Sequence, residues 1–147
     1  WELARPDRHN DQREIERWIR QSPVEARAAS ADSPERMVWM RVKGELPDEE
    51  PLHAAFLAYA SDRGLISTAR YAHGLVVHWG YAASLDHSIW FHRPPRFDDW
   101  VLFSSHSPVA HGARALILGQ MYTRDGTHIA SVSQEGLVRQ PKPPAQT

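Results

Sequence analysis

One stretch of helical patterning, followed by nothing but β-like runs, constrains the fold of this chain more than any other feature. Asp48-Glu-Glu-Pro51 has the make-up of a helix start, with carboxylates in the first turn and proline at its opening. Leu52, Phe56 and Tyr59 then recur at i, i+4 and i+7 and predict one apolar stripe. Ala54, Ala55 and Ala58 keep this helix slim enough to sit close against a sheet, and Gly64 is its predicted stop. Four β-like runs follow, at 84–92, 100–107, 112–124 and 127–138, the last two joined through Arg124-Asp125-Gly126 as a hairpin. Upstream, 36–44 is β-rich and bounded by Pro34 and Gly44, a further predicted strand. This order predicts an α+β domain in which an antiparallel sheet wraps a long central helix.

The flanking segments carry weaker signals. Residues 1–6 predict a short strand ending at Pro6, and 14–20 a brief helical pattern with Ile15, Trp18 and Ile19 on one side. The charged segment 7–34, broken by Pro23 and Pro34, reads as a partly mobile excursion between strands. The proline-rich tail 140–147 cannot continue a sheet and is expected to be disordered, leaving a single domain over 1–139.

Composition narrows the function classes. A formal net charge of −1 gives no reason to expect nucleic acid or an anionic membrane as partner. No run of residues approaches the apolar length that a membrane span needs. The absence of cysteine excludes disulfides, thiolate metal sites and cysteine nucleophiles, consistent with the cytoplasmic location expected here. The nine histidines invite a metal reading, but His73 and His78 are five apart, as are His87 and His92, so neither pair shares a strand face. No metal and no cofactor are therefore expected.

Three polar residues are the candidates for chemistry. Asp62 falls late in the predicted helix, on the side of Ala55 and Tyr59 at the flank of the stripe. A carboxylate there must be hydrogen-bonded or paired. It reads either as a cap or ion pair with Arg63 or Arg70, or as a functional group. Gln134 shares a strand face with Ala130, Val132, Gly136 and Val138, the lone polar side chain among small or apolar ones. It is either a satisfied core amide or a site residue, and Gly136 beside it leaves room for a ligand or a close helix. Ser84 opens a predicted strand and reads by itself as a strand-end or turn serine. Asp86-His87-Ser88 suggests a hydrolase triad, which strand geometry disfavours because consecutive residues face opposite sides. A Gly-x-Ser-x-Gly elbow is also absent from the sequence. Trp90, Phe91 and Trp100 read as core or interface aromatics. Arg93 and Arg114 read as ion-pairing residues or as contacts for nucleotide phosphates.

Leu85-Asp-His-Ser-Ile-Trp-Phe-His-Arg-Pro94, the Thr123-Arg-Asp-Gly126 turn and Ala130-Ser-Val-Ser-Gln-Glu-Gly136 occur in an order and spacing similar to the second half of a type II acyl-CoA thioesterase. The resemblance covers roughly 36–139, and 1–6 more weakly. It implies a hot-dog fold and hydrolysis of fatty acyl-CoA to free acid and CoA. It also implies catalytic roles for three residues. Asp62, after Tyr59-Ala-Ser, would act on the water, while Ser84, two positions before Asp86-His87-Ser88, and Gln134 would orient it. A thioester carbonyl is electrophilic enough to need no covalent nucleophile. The family builds its site from two hot-dog halves. The start at Trp1 therefore leads us to expect an upstream half as partner, and the joining of sheets between hot-dog units leads us to expect a homo-oligomer. Two rivals follow. A hot-dog hydratase would want an Asp/His pair on a short loop that this sequence lacks. A non-catalytic half would serve acyl-CoA binding or assembly.

Overall fold

A computed structural model of the chain describes residues 24–28, 35–75 and 82–139. The expectations for 1–6, 14–20 and the tail 140–147 lie outside the described residues. The strands are β1 (Val24–Ala28), β2 (Arg36–Val42), β3 (Ala82–Ser84), β4 (Ser88–Phe91), β5 (Val101–His111), β6 (Arg114–Tyr122) and β7 (His128–Val138), and the helices are α1 (Glu50–Ser61) and α2 (Leu65–Ala72). All strand pairs are antiparallel in the order β1-β2-β5-β6-β7-β3, with β4 also paired to β7. The helices pack on one face of this sheet, the hot-dog α+β arrangement. The core lies between the layers and includes Leu57 and Ala60 of α1, Leu65 and Ala69 of α2, and Met40, Phe103, Ile117 and Val132 of the sheet.

Three local expectations need correction. The strand β1 lies inside the segment read as an excursion; its order comes from a long-range ladder with β2, Val24 opposite Val42, which local patterning cannot reveal. The helix is not one rod. Gly64, at φ +86°, turns the chain after α1 and opens α2, a second helix where only a loop or turn was expected. A side chain at Gly64 would be strained at that φ, and its Cβ would meet the Arg36 guanidinium at 2.1 Å, which itself donates to the Gly64 carbonyl at 2.9 Å. The phase of α1 also differs: its buried residues are His53, Leu57, Ala60 and Ser61, while Tyr59 is exposed and Leu52 and Phe56 are half-buried. The face that does pack inward includes His53, buried with both ring nitrogens occupied. Its Nδ1 accepts from the Phe97 N–H at 3.1 Å, so Nε2 carries the proton and donates to the Pro47 carbonyl at 3.1 Å.

The hairpin at 123–127 forms as expected. Asp125 accepts from the Thr127 N–H at 3.2 Å and from the Thr123 hydroxyl, bonds that hold its carboxyl below the usual range. Trp90 and Phe91 stand exposed on β4 rather than in the core, while Trp100 is half-buried under Arg41, whose guanidinium lies 4.7 Å from the ring centroid.

Candidate active site

Gln134 occupies the position its strand pattern predicts. Along β7, Ala130, Val132, Gln134, Gly136 and Val138 are all buried, and Gln134 is fully so. The space at Gly136 is taken by a helix: a Cβ there would meet Ile66 of α2 at 2.2 Å. A buried amide has to be satisfied, and Gln134 is, on both sides. Its Nε2 donates to Ser84 Oγ at 2.7 Å, and its Oε1 lies 2.7 Å from His87 Nδ1.

The strand opposite makes this possible through an irregularity. Ser84 pairs with Gly136 and Ser88 with Ser133, so three residues, Leu85 to His87, stand opposite only two of β7, Gln134 and Glu135. This is a β-bulge, a device that re-aims side chains beside functional sites. It is pinned by the Leu85 N–H on the Glu135 carbonyl and by the Glu135 N–H on Asp86, each 2.8 Å. The alternation argument against a triad at 86–88 presupposed a regular strand; the strand is bulged instead, and the triad still does not form, since Asp86 is taken by the Glu135 N–H. His87 does not serve Ser88. Its Nε2 lies 2.8 Å from the Oγ of Ser61, the last residue of α1.

Asp62 caps the C-terminus of α1 in helical conformation, with over half of its side chain exposed. It is not on a buried flank, a consequence of the shifted phase of α1. A carboxylate at this end of a helix opposes the backbone dipole, so its placement does nothing for the helix. Its Oδ1 lies 3.8 Å from His87 Nδ1. Arg63, named as one ion-pair candidate, donates to the Tyr59 hydroxyl at 3.2 Å and stacks over that ring; burial lowers its pKa against the opposing pull of Tyr59 and Asp62.

The three residues singled out from the sequence thus fall in one place. Ser84 and Gln134 touch directly, and Asp62 meets the same imidazole that Gln134 does. The residues missed were His87 and Ser61. The signal available for them was the Asp-His-Ser tripeptide and a serine next to Asp62. Of the remaining candidates, Arg114 pairs with Glu135 at 3.3 Å and Arg93 donates to the His128 carbonyl at 2.5 Å. Among the described residues no cluster of three or more histidine or acidic side chains could hold a metal, and no helix is long and apolar enough to cross a membrane.

Comparison with known proteins gives a consistent result. A family model described as acyl-CoA thioesterase matches residues 8–137. Acyl-coenzyme A thioesterase 8 from Mus musculus is 38% identical over 107 residues, 72% of this chain and 33% of that one. Acyl-CoA thioesterase 2 from Haemophilus influenzae is 36% identical over 134 residues, 84% of this chain and 47% of that one. Among solved structures, acyl-CoA thioesterase II TesB2 from Mycobacterium marinum superposes with a TM-score of 0.73 at 37% identity, covering 86% of this chain and 53% of that one. The chain therefore spans between a third and about half of the relatives it matches.

Proposed function

The chain belongs to the acyl-CoA thioesterase family, and on that premise we propose that it is the catalytic half of a double hot-dog enzyme that hydrolyses fatty acyl-CoA to free acid and CoA. The observation that carries this reading is the meeting of Asp62, Ser84 and Gln134 at one bulged edge of the sheet, half open to solvent.

The chemistry follows from the groups. Asp62 is an exposed acceptor able to take a proton from water as that water attacks the thioester carbonyl carbon. The tetrahedral intermediate collapses with cleavage of the carbon–sulfur bond, and CoA leaves as the thiol once protonated. Ser84 and Gln134 orient the water, since a reacting atom must be held within tight geometric limits. Positioned acid–base help of this kind contributes on the order of 10²–10⁴-fold in rate. A second hot-dog half, in the same polypeptide, would complete the acyl-CoA site; the greater length of the relatives supports that. Association into a homo-oligomer belongs to the same reading.

The test is thiol release from a series of acyl-CoAs, measured for this chain alone and for a longer polypeptide carrying an upstream half. The chain has no cysteine to add background. Turnover in the longer form that disappears with Asp62→Ala is the expected result. Saturable acyl-CoA binding without turnover in either form would instead make this a binding or assembly domain.

A further inference from the structure

We propose that His87 is a positioning residue, which fixes the orientation of the Gln134 amide and thereby makes Ser84 a hydrogen-bond donor toward the reacting water. This deepens the thioesterase reading and rests on it.

The argument is a count of protons. An amide oxygen only accepts, so the 2.7 Å contact between Gln134 Oε1 and His87 Nδ1 requires the proton on Nδ1. With its oxygen turned to the imidazole, the amide presents its NH₂ to Ser84 and donates to Oγ at 2.7 Å. Ser84 is the acceptor of that bond, so its own O–H is left to donate elsewhere. Were the amide reversed, Ser84 would donate into Gln134, and only its lone pairs would face the water. The two amide orientations have the same shape, and packing alone does not choose between them. The ring chooses.

His87 is itself held from the other side. Its Nε2 lies 2.8 Å from Ser61 Oγ, which is also 2.7 Å from the Ala58 carbonyl. Ser61 has one proton for these two acceptors. If it donates to Nε2, the ring is neutral. If it donates to Ala58, Nε2 must donate as well, and the ring is a cation facing Asp62 at 3.8 Å. A ring protonated on Nε2 alone would reverse the amide, but it would set the bare Nδ1 lone pair against the Asp62 carboxylate 3.8 Å away; that carboxylate keeps the proton on Nδ1, and with it the Gln134 orientation. From Nδ1 onward the hydrogen bonds thus run in one direction, through the Gln134 amide to Ser84.

The experiment uses the polypeptide that turns over acyl-CoA and compares His87→Ala, His87→Asn and His87→Gln. An asparagine amide carries an N–H to the neighbourhood of Nδ1, whereas a glutamine amide reaches that of Nε2. Misplacement of a reacting group by about 1 Å can cost on the order of 10²-fold, so His87→Ala should lower kcat about 10- to 100-fold while KM stays within about twofold. His87→Asn should recover most of that loss and His87→Gln should not, an order unrelated to thermal stability. The double variant His87→Ala/Gln134→Ala should be no slower than Gln134→Ala alone, because the two residues act as one unit. Equal rates for the asparagine and glutamine variants, or additive losses in the double variant, would overturn the assignment. Wild-type turnover unaffected by His87→Ala would sink this inference and leave the thioesterase reading intact. Absence of turnover in the wild type would remove both.

Discussion

The two ends of α1 each meet an imidazole, and the proton count differs between them. At the start of the helix, His53 is buried and closed: one nitrogen accepts from the Phe97 N–H, the other donates to Pro47, and one tautomer satisfies everything. At the far end His87 is about a quarter exposed, its partner Ser61 has two acceptors for one proton, and a carboxylate waits within 4 Å. A closed network specifies structure. A network with a choice left in it, open to solvent, is suited to chemistry, where a proton must change hands.

That contrast can be broken most forcefully at the open end. Asp62→Asn should lower kcat by on the order of 10²–10⁴-fold and leave the melting temperature unchanged or slightly raised, because the exposed carboxylate opposes the helix dipole. A loss of stability matching the loss of rate would place Asp62 in the architecture instead. The closed end should behave inversely. His53→Ala strands the Phe97 N–H and the Pro47 carbonyl and opens a hole in the packing, costing roughly 2–4 kcal/mol in denaturant unfolding, with kcat per folded molecule preserved. Between the ends, Gly64→Ala should cost about 1–3 kcal/mol through its positive φ. If kcat falls more than stability explains, the turn also sets the position of Asp62.

The smallest effect concerns Asp98, which stands 3.8 Å from His53. Burial works against its charged form, but the Arg96 guanidinium, hydrogen-bonded at 3.1 Å, together with His53 and a backbone hydrogen bond, holds the carboxyl below its ordinary value. A depressed folded pKa contributes stability that is present above the unfolded value of about 3.9 and is lost as pH falls through the folded one. Asp98→Asn should therefore shift the unfolding midpoint by no more than about 1 kcal/mol near neutrality and flatten the acid limb below about pH 4. An unchanged acid limb would mean that the Arg96 pair contributes nothing.

How much of this was legible in the sequence depended on whether the decisive contact was local. The hairpin at 123–127 and the buried face of β7 are written in turn chemistry and period-two alternation, and both are found as read. The second helix, Leu65–Ala72, was not legible. It is only eight residues long, carries Ile66, Ser67 and Thr68, and is held by packing on the sheet rather than by propensity. The phase of α1 was missed because hydropathy counts a histidine as polar whatever its partners. Asp62, Ser84 and Gln134 were singled out through motif resemblance, since their local patterning fits a cap, a turn serine and a core amide equally well. The strand rule rightly excluded a triad at 86–88, but the partners His87 does have, Ser61 and Gln134, are set by long-range register that local patterning does not carry.

The supernumerary residue of the bulge also acts as a phase inverter along the edge of the sheet. Directly opposed residues share a face, so Ser84, opposite Gly136, and Ile89, opposite Val132, lie on one face although one number is even and the other odd. Removing any one residue between Leu85 and His87 would leave Ser84 and Ile89 four positions apart, so a regular strand would keep both on their face with the pairing to β7 intact. What such a variant would lose is the extra residue that aims His87 at Gln134. Length in this short stretch is thus constrained by the site and not by the sheet.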